Sequence, residues 1–182
     1  MPTIEEMKMA YDKHKNLKLA ADEVGMKWQT LYWYLKKHNH HISSDKSRYG
    51  SATDKFAAKA EQDFKQLVPS AKDMNSTIFQ SKYDFEIHGL KVDVKASQLH
   101  QGNKGKPNLR WAFSLKKQEM LADFIVGMAY KDEKIVKLYL FPAEQIRFRS
   151  TISISENGSS KWRDFEISPD DLKAFFEKTI LN

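Results

Sequence analysis

Apolar side chains recur every three or four positions at the start of the chain, at Ile4, Met7, Tyr11, Leu17, Ala20, Ala21, Val24, Leu31, Tyr34 and Leu35, and this spacing predicts a helical unit over 3–42. The pattern then breaks. Residues 40–51 are polar, with Ser43, Ser44, Ser47, Gly50 and Ser51, so the chain is expected to divide into 1–42, a linker 43–52 and a larger domain 53–182. From Thr53, Phe56, Ala57, Ala60, Phe64, Leu67 and Val68 share one helical stripe that stops before Pro69. Between 83 and 95 the period becomes two: Tyr83, Phe85 and Ile87 alternate with Asp84, Glu86 and His88, and Leu90, Val92 and Val94 alternate with Lys91, Asp93 and Lys95. Strands are expected over 109–115, 124–129 and 135–141, the last stopped by Pro142, with a further β pair over 151–167 around Asn157-Gly158. Ser168, Pro169, Asp170 and Asp171 form a helix start: a cap, a proline suited to the first turn, and two acids at the positive end of the dipole.

A turn on His88-Gly89 makes 83–95 a hairpin, because glycine supplies the positive φ that a two-residue loop requires. The register then pairs Ile87 with Leu90, Glu86 with Lys91, Phe85 with Val92 and Asp84 with Asp93. The last pair sets two carboxylates against each other at roughly 5 Å, an arrangement that a divalent cation between them would relieve. Lys95 stands on the same face, where an ammonium can orient a nucleophilic water and stabilise charge growing on a phosphate. A solvated hairpin face, with the Glu86–Lys91 pair offsetting the repulsion, is the alternative. Glu61 falls within the apolar stripe beside Ala57 and Ala60. It either faces inward toward a metal or water, or sits at the stripe edge and reaches solvent.

Composition narrows the function classes. Of 182 residues, 41% are hydrophobic and 30% charged, which is the balance of a folded globular chain. Zero cysteines exclude disulfides, thiolate metal sites and cysteine nucleophiles, so any metal must be held by oxygen or imidazole. The absence of a long apolar run and the polar N-terminus predict a cytoplasmic protein with no membrane partner. A net charge of +6 favours a polyanionic partner.

A helical Glu61, a strand Asp84 and an Asp93-x-Lys95 on the next strand resemble the PD-(D/E)xK nuclease superfamily, which includes type II restriction enzymes and Holliday junction resolvases. The resemblance covers about 50–141. It implies an α/β fold with a restriction-endonuclease-like core, a central mixed sheet flanked by helices. It also implies Mg²⁺, replaceable by Mn²⁺, held by Asp84 and Asp93 with the Val94 carbonyl, Lys95 as the catalytic lysine, and Glu61 binding metal or orienting its water. Hydrolysis of DNA to 5′-phosphate and 3′-hydroxyl ends follows from the same resemblance. Tyr83 stands where the family's proline would be, and Asp93 is the shorter acid where glutamate is common.

Residues 17–38 look like a helix-turn-helix, so that a small all-α domain precedes the core. Ala21 is small where helices cross, Gly25 opens the turn, and Leu31, Tyr34 and Leu35 face inward. Gln29, Trp33 and Lys36 fall on the opposite face, with Lys27 and Lys37 beside them, as candidates for bases or phosphates. Packing on the nuclease or dimerisation is the alternative use of this unit. Lys104, Lys106 and Arg110 are further candidates for DNA contact, with Lys116 and Lys117 nearby, and His38, His40 and His41 are a weaker candidate metal cluster.

The sequence therefore predicts a Mg²⁺-dependent, site-specific endonuclease acting on double-stranded DNA as a homodimer. A junction or repair nuclease, and a noncatalytic DNA-binding regulator on the same fold, are the competing expectations.

Overall fold

Thr3 starts the first helix of the computed structural model with a capping box: its hydroxyl accepts the Glu6 amide while the Glu6 carboxylate accepts the Thr3 amide. Residues 2–42, 51–75, 81–102, 108–115 and 121–178 are described. The chain forms two units, Met1–Gly50 and Ser51–Asn182.

The first unit holds α1 (Ile4–His14), α2 (Leu17–Glu23) and α3 (Trp28–Lys37). The Asn16 side chain caps α2 by accepting the Leu19 amide at 2.9 Å. Gly25, at φ +68°, turns the chain between α2 and α3 in a conformation that L-residues avoid. Met7, Ala10, Tyr11, Ala20, Ala21, Leu31 and Leu35 form the buried core, and the small side chains at 20 and 21 let the helices approach closely.

In the second unit Ser51 and Asp54 form another capping box, and α4 (Ala52–Leu67) follows. A six-stranded mixed sheet runs in the order β1 (Lys72–Asp73), β2 (Phe85–Ile87), β3 (Leu90–Gln98), β6 (Phe124–Lys131), β7 (Lys134–Pro142) and β9 (Glu166–Ile167). Only β3 and β6 run parallel. Helix α4 and the C-terminal α6 (Pro169–Glu177) cover one face, where Ala60, Phe64, Val68, Leu172 and Phe176 meet Val92, Val94, Val126 and Met128. A second sheet, in the order β4 (His100–Gln101), β5 (Leu109–Ser114) and β8 (Thr151–Ser155), covers the other with α5 (Ala143–Ile146) and a 3-10 turn (Lys161–Phe165). Its Trp111, Phe113, Ile152 and Ile154 pack with Ile125, Tyr139 and Phe141. The architecture is thus mixed α/β with a mixed central sheet flanked by helices.

The strand expected over 109–115 is β5 of the second sheet, and one expectation is corrected: 151–167 is not a hairpin. After Asn157-Gly158 the chain winds into the 3-10 turn, placing Trp162 and Phe165 against Phe141, and only then supplies β9 to the β7 edge. Burial of two aromatic rings outweighs the local turn signal. Among the described residues no helix is long and apolar enough to cross a membrane.

Candidate functional site

The hairpin adopts the expected register for three pairs, Ile87↔Leu90, Glu86↔Lys91 and Phe85↔Val92, with His88 and Gly89 at φ 49° and 83° in the turn. The fourth pair is absent. The ladder stops at Phe85, and Asp84 replaces it with its own side chain: its amide donates to the Val92 carbonyl at 3.0 Å, and its carboxylate accepts the Val94 amide at 2.7 Å. A continued ladder would send that amide to the Tyr83 carbonyl, which instead accepts the Ser81 hydroxyl at 2.6 Å. Asp84 is therefore not directly opposite Asp93 in the register, but it is fixed to the strand that carries it.

Strand β3 sorts its side chains by alternation. Val92 and Val94 enter the core under α4, so Asp93 and Lys95 stand on the opposite face, where Lys95 Nζ contacts Asp93 Oδ2 at 2.8 Å. The Val94 side chain is buried and its amide engaged by Asp84, which leaves its carbonyl as the only group it can offer a ligand. Glu61, half-buried on α4, joins the group through Asn75, whose amide nitrogen lies 3.4 Å from Glu61 Oε2 and 3.2 Å from Asp84 Oδ1.

Electrostatics tie these side chains together. Burial first, and then the charges of Asp93 and Glu61, push Asp84 up to about 7, against the Val94 amide and the Lys95 ammonium, which favour its charged form. Burial acts to lower the Lys95 pKa, but Asp93, by charge and hydrogen bond, together with Asp84 and Glu61, outweighs it and raises the value. The ammonium therefore stays protonated at neutral pH.

The donors are all hard oxygens, and three crowded carboxylates face one ammonium, which is the chemistry a hard divalent cation fits. As arranged, Lys95 occupies Asp93, and Asn75 spans Glu61 and Asp84. Among the described residues no three Asp, Glu, His or Cys side chains are gathered as a ready-made metal-holding group.

Asn75 escapes sequence reasoning. It follows a two-residue strand, too short to show a period, and nothing local marks an asparagine there as a bridge between acids.

In the N-terminal unit, Lys27, Gln29, Trp33, Lys36 and Lys37 are all exposed. Trp28 and Tyr32, absent from the sequence-based set, join them at 47% and 42% exposure, with Trp33 at 54%. Lys37 Nζ lies 4.9 Å from the Trp33 ring centroid. Between Lys27 and Ile42 there is no carboxylate, so this face is cationic and aromatic. His40 turns to Asp12, at 3.2 Å, and sets its ring edge-on to Tyr11, so packing within this unit accounts for it.

Arg110 lies in β5 with its guanidinium across Gly102 and 3.4 Å from the Ser153 hydroxyl, half-buried rather than extended. Lys104 and Lys106, like Lys116 and Lys117, lie outside the described residues. Comparison with known protein families and with curated proteins finds no match to this chain.

Proposed function

We propose that the protein is a Mg²⁺-dependent DNA endonuclease with a restriction-endonuclease-like core, whose N-terminal helix-turn-helix selects the duplex. The observation that carries this reading is the convergence of Glu61 from α4, Asp84 from the residue before β2, and Asp93 and Lys95 from within β3 into one linked and electrostatically coupled group. An acid pushed up to about 7 by burial and two neighbouring carboxylates is the kind of perturbation that clusters at functional sites. Asp84 and Asp93, with the Val94 carbonyl and Glu61, would hold the cation. When bound, Mg²⁺ neutralises charge on a scissile phosphate and acidifies a water. Lys95 supplies the positive charge that meets the phosphate oxygens and orients the attacking water. Asn75 holds Glu61 and Asp84 in mutual alignment. The cationic, aromatic face of α3 would lie in the major groove, with Lys27, Lys36 and Lys37 on phosphates and Gln29 and Trp33 toward base edges. A site-specific double-strand cut calls for two copies of the site, and hence a homodimer.

Full-length protein incubated with plasmid and phage DNA in Mg²⁺ should convert it to discrete fragments with 5′-phosphate ends. Intact DNA across many substrates would remove the proposal. The Lys95–Asp93 contact, which engages a proposed metal ligand, favours a second reading, a noncatalytic DNA-binding regulator. Such a protein would retard DNA while leaving it full-length at every Mg²⁺ concentration.

A further inference from the structure

Phe148 is 86% exposed, more than any other large apolar side chain among the described residues, and it stands between Arg147 and Arg149 just beyond α5. A lone exposed apolar side chain needs no explanation by itself. Its setting does. Arg149 and Lys161 lie 5.7 Å and 4.7 Å from the Trp162 ring centroid, so two cations flank that ring and one of them is the neighbour of Phe148 in sequence. From residue 145 to residue 155 there is no carboxylate. A surface for a generic protein partner would gain from mixed charge, whereas this one suits a polyanion.

The sheet register relates the tip to the carboxylate group. Val92 pairs with Phe124, and Phe124 with Pro142, the residue from which α5 begins. Two strand spacings, roughly 10 Å, thus separate the start of α5 from the level of Val92 and Asp93. Asp93 pairs with Ile125, whose side chain belongs to the core shared by Ile146 of α5 and Trp162. Asp93, Lys95 and the segment leading to Phe148 therefore lie on one face of the central sheet and toward one end of it.

We propose that Phe148 is a wedge that enters a base step of duplex DNA held against this end of the second unit, with Arg147 and Arg149 on the adjoining phosphates. An aromatic ring inserted between base pairs unstacks and unwinds the duplex locally, while the flanking guanidinium groups supply sequence-independent affinity. Unstacking is least costly at pyrimidine–purine steps, so the wedge favours cleavage near such steps. This inference rests on the DNA-binding reading above.

The test relaxes closed circular plasmid with a metal-independent topoisomerase in EDTA, with the full-length protein bound, and separates the topoisomers after deproteinisation. Plasmid occupancy is measured in the same buffer by gel retardation. The wild type should lower the linking number in proportion to occupancy. Phe148→Ala, a change at an exposed position that leaves the core intact, should reduce that shift at least about 5-fold while affinity stays within about 3-fold, and Phe148→Trp should retain most of it. Arg147→Ala with Arg149→Ala should weaken affinity and flatten its salt dependence. An equal shift by Phe148→Ala at equal occupancy, or no shift by bound wild type, overturns the wedge and leaves DNA binding standing. Failure of the wild type to retard plasmid overturns both.

Discussion

The carboxylate of Asp84 accepts the amide of Val94 across the open end of the hairpin at 2.7 Å, so an acid takes the place of a backbone carbonyl in the ladder. This contact anchors Asp84 beside the strand that bears Asp93 and Lys95, and it keeps a partly buried acid among like charges.

The first consequence is a stability that depends on pH. Asp84 is pushed up to about 7 from 3.8, so the folded chain holds this proton more tightly than the unfolded one. Its contribution is complete below about pH 4 and is lost as pH rises through about 7. Asp84→Asn keeps an acceptor for the Val94 amide and removes the charge. In EDTA the variant should be more stable than wild type at pH 8 by about 1–3 kcal/mol and nearly equal to it at pH 4.5. Denaturation at the two pH values checks this, and an equal difference at both would contradict the assignment.

Divalent cation should act in the opposite direction. A cation on these acids must displace the Asp84 proton, so its binding strengthens with pH. Mg²⁺ should raise the melting temperature more at pH 8 than at pH 5.5, and Asp84→Ala should abolish the rise. Thermal scans with and without Mg²⁺ read both outcomes.

Removing a member of the group should separate cutting from binding. Lys95→Met, Asp93→Asn and Glu61→Gln should each lower cleavage at least about 100-fold while DNA retention in EDTA changes little. Asn75→Ala, which acts through the acids it spans, should cost about 10-fold in cleavage. Any of these variants that cuts at the wild-type rate loses its assigned role.

On α3, charge and base contacts should be distinguishable by salt. Lys36→Ala and Lys37→Ala are each expected to reduce the slope of log affinity against log salt by about 1 and to weaken all sequences alike. Gln29→Ala should instead relax base preference, by about 1–3 kcal/mol at one position. Fluorescence anisotropy on duplex panels at several salt concentrations gives both quantities.

A stabilising change is available at the β6–β7 turn. Asp132 and Glu133 both hold positive φ, 48° and 62°, between the paired Lys131 and Lys134. Glu133→Gly relieves the left-handed strain and keeps the backbone carbonyl that receives Lys59 Nζ at 3.2 Å. Urea denaturation should show a gain of about 1 kcal/mol.

The sequence made some of this legible and concealed the rest for physical reasons. Period-two alternation and one glycine were enough for three hairpin pairs, because register follows from turn length once both arms have a buried face. The fourth pair failed because a short acid can itself bond to an amide, a competition that periodicity does not record. Alternation in β5 predicts a strand but not its sheet, since buried and exposed sides repeat identically in either. Of the site, the four charged residues stood in visible patterns. Asn75 lay beyond them because its partners are 14 and 9 residues away and the two-residue strand before it shows no repeat.

The parallel pairing of β3 with β6 also governs when the cluster can exist during synthesis. The strand bearing Asp93 and Lys95 emerges early, but its neighbour on one side arrives only after the chain has laid down β4 and β5 of the second sheet and returned at Phe124. A nascent or prematurely terminated polypeptide that lacks 124–142 leaves that flank of β3 without its backbone partner. Chains that end before Phe124 should therefore show lost hydrogen-exchange protection along β3, because half of its ladder is missing.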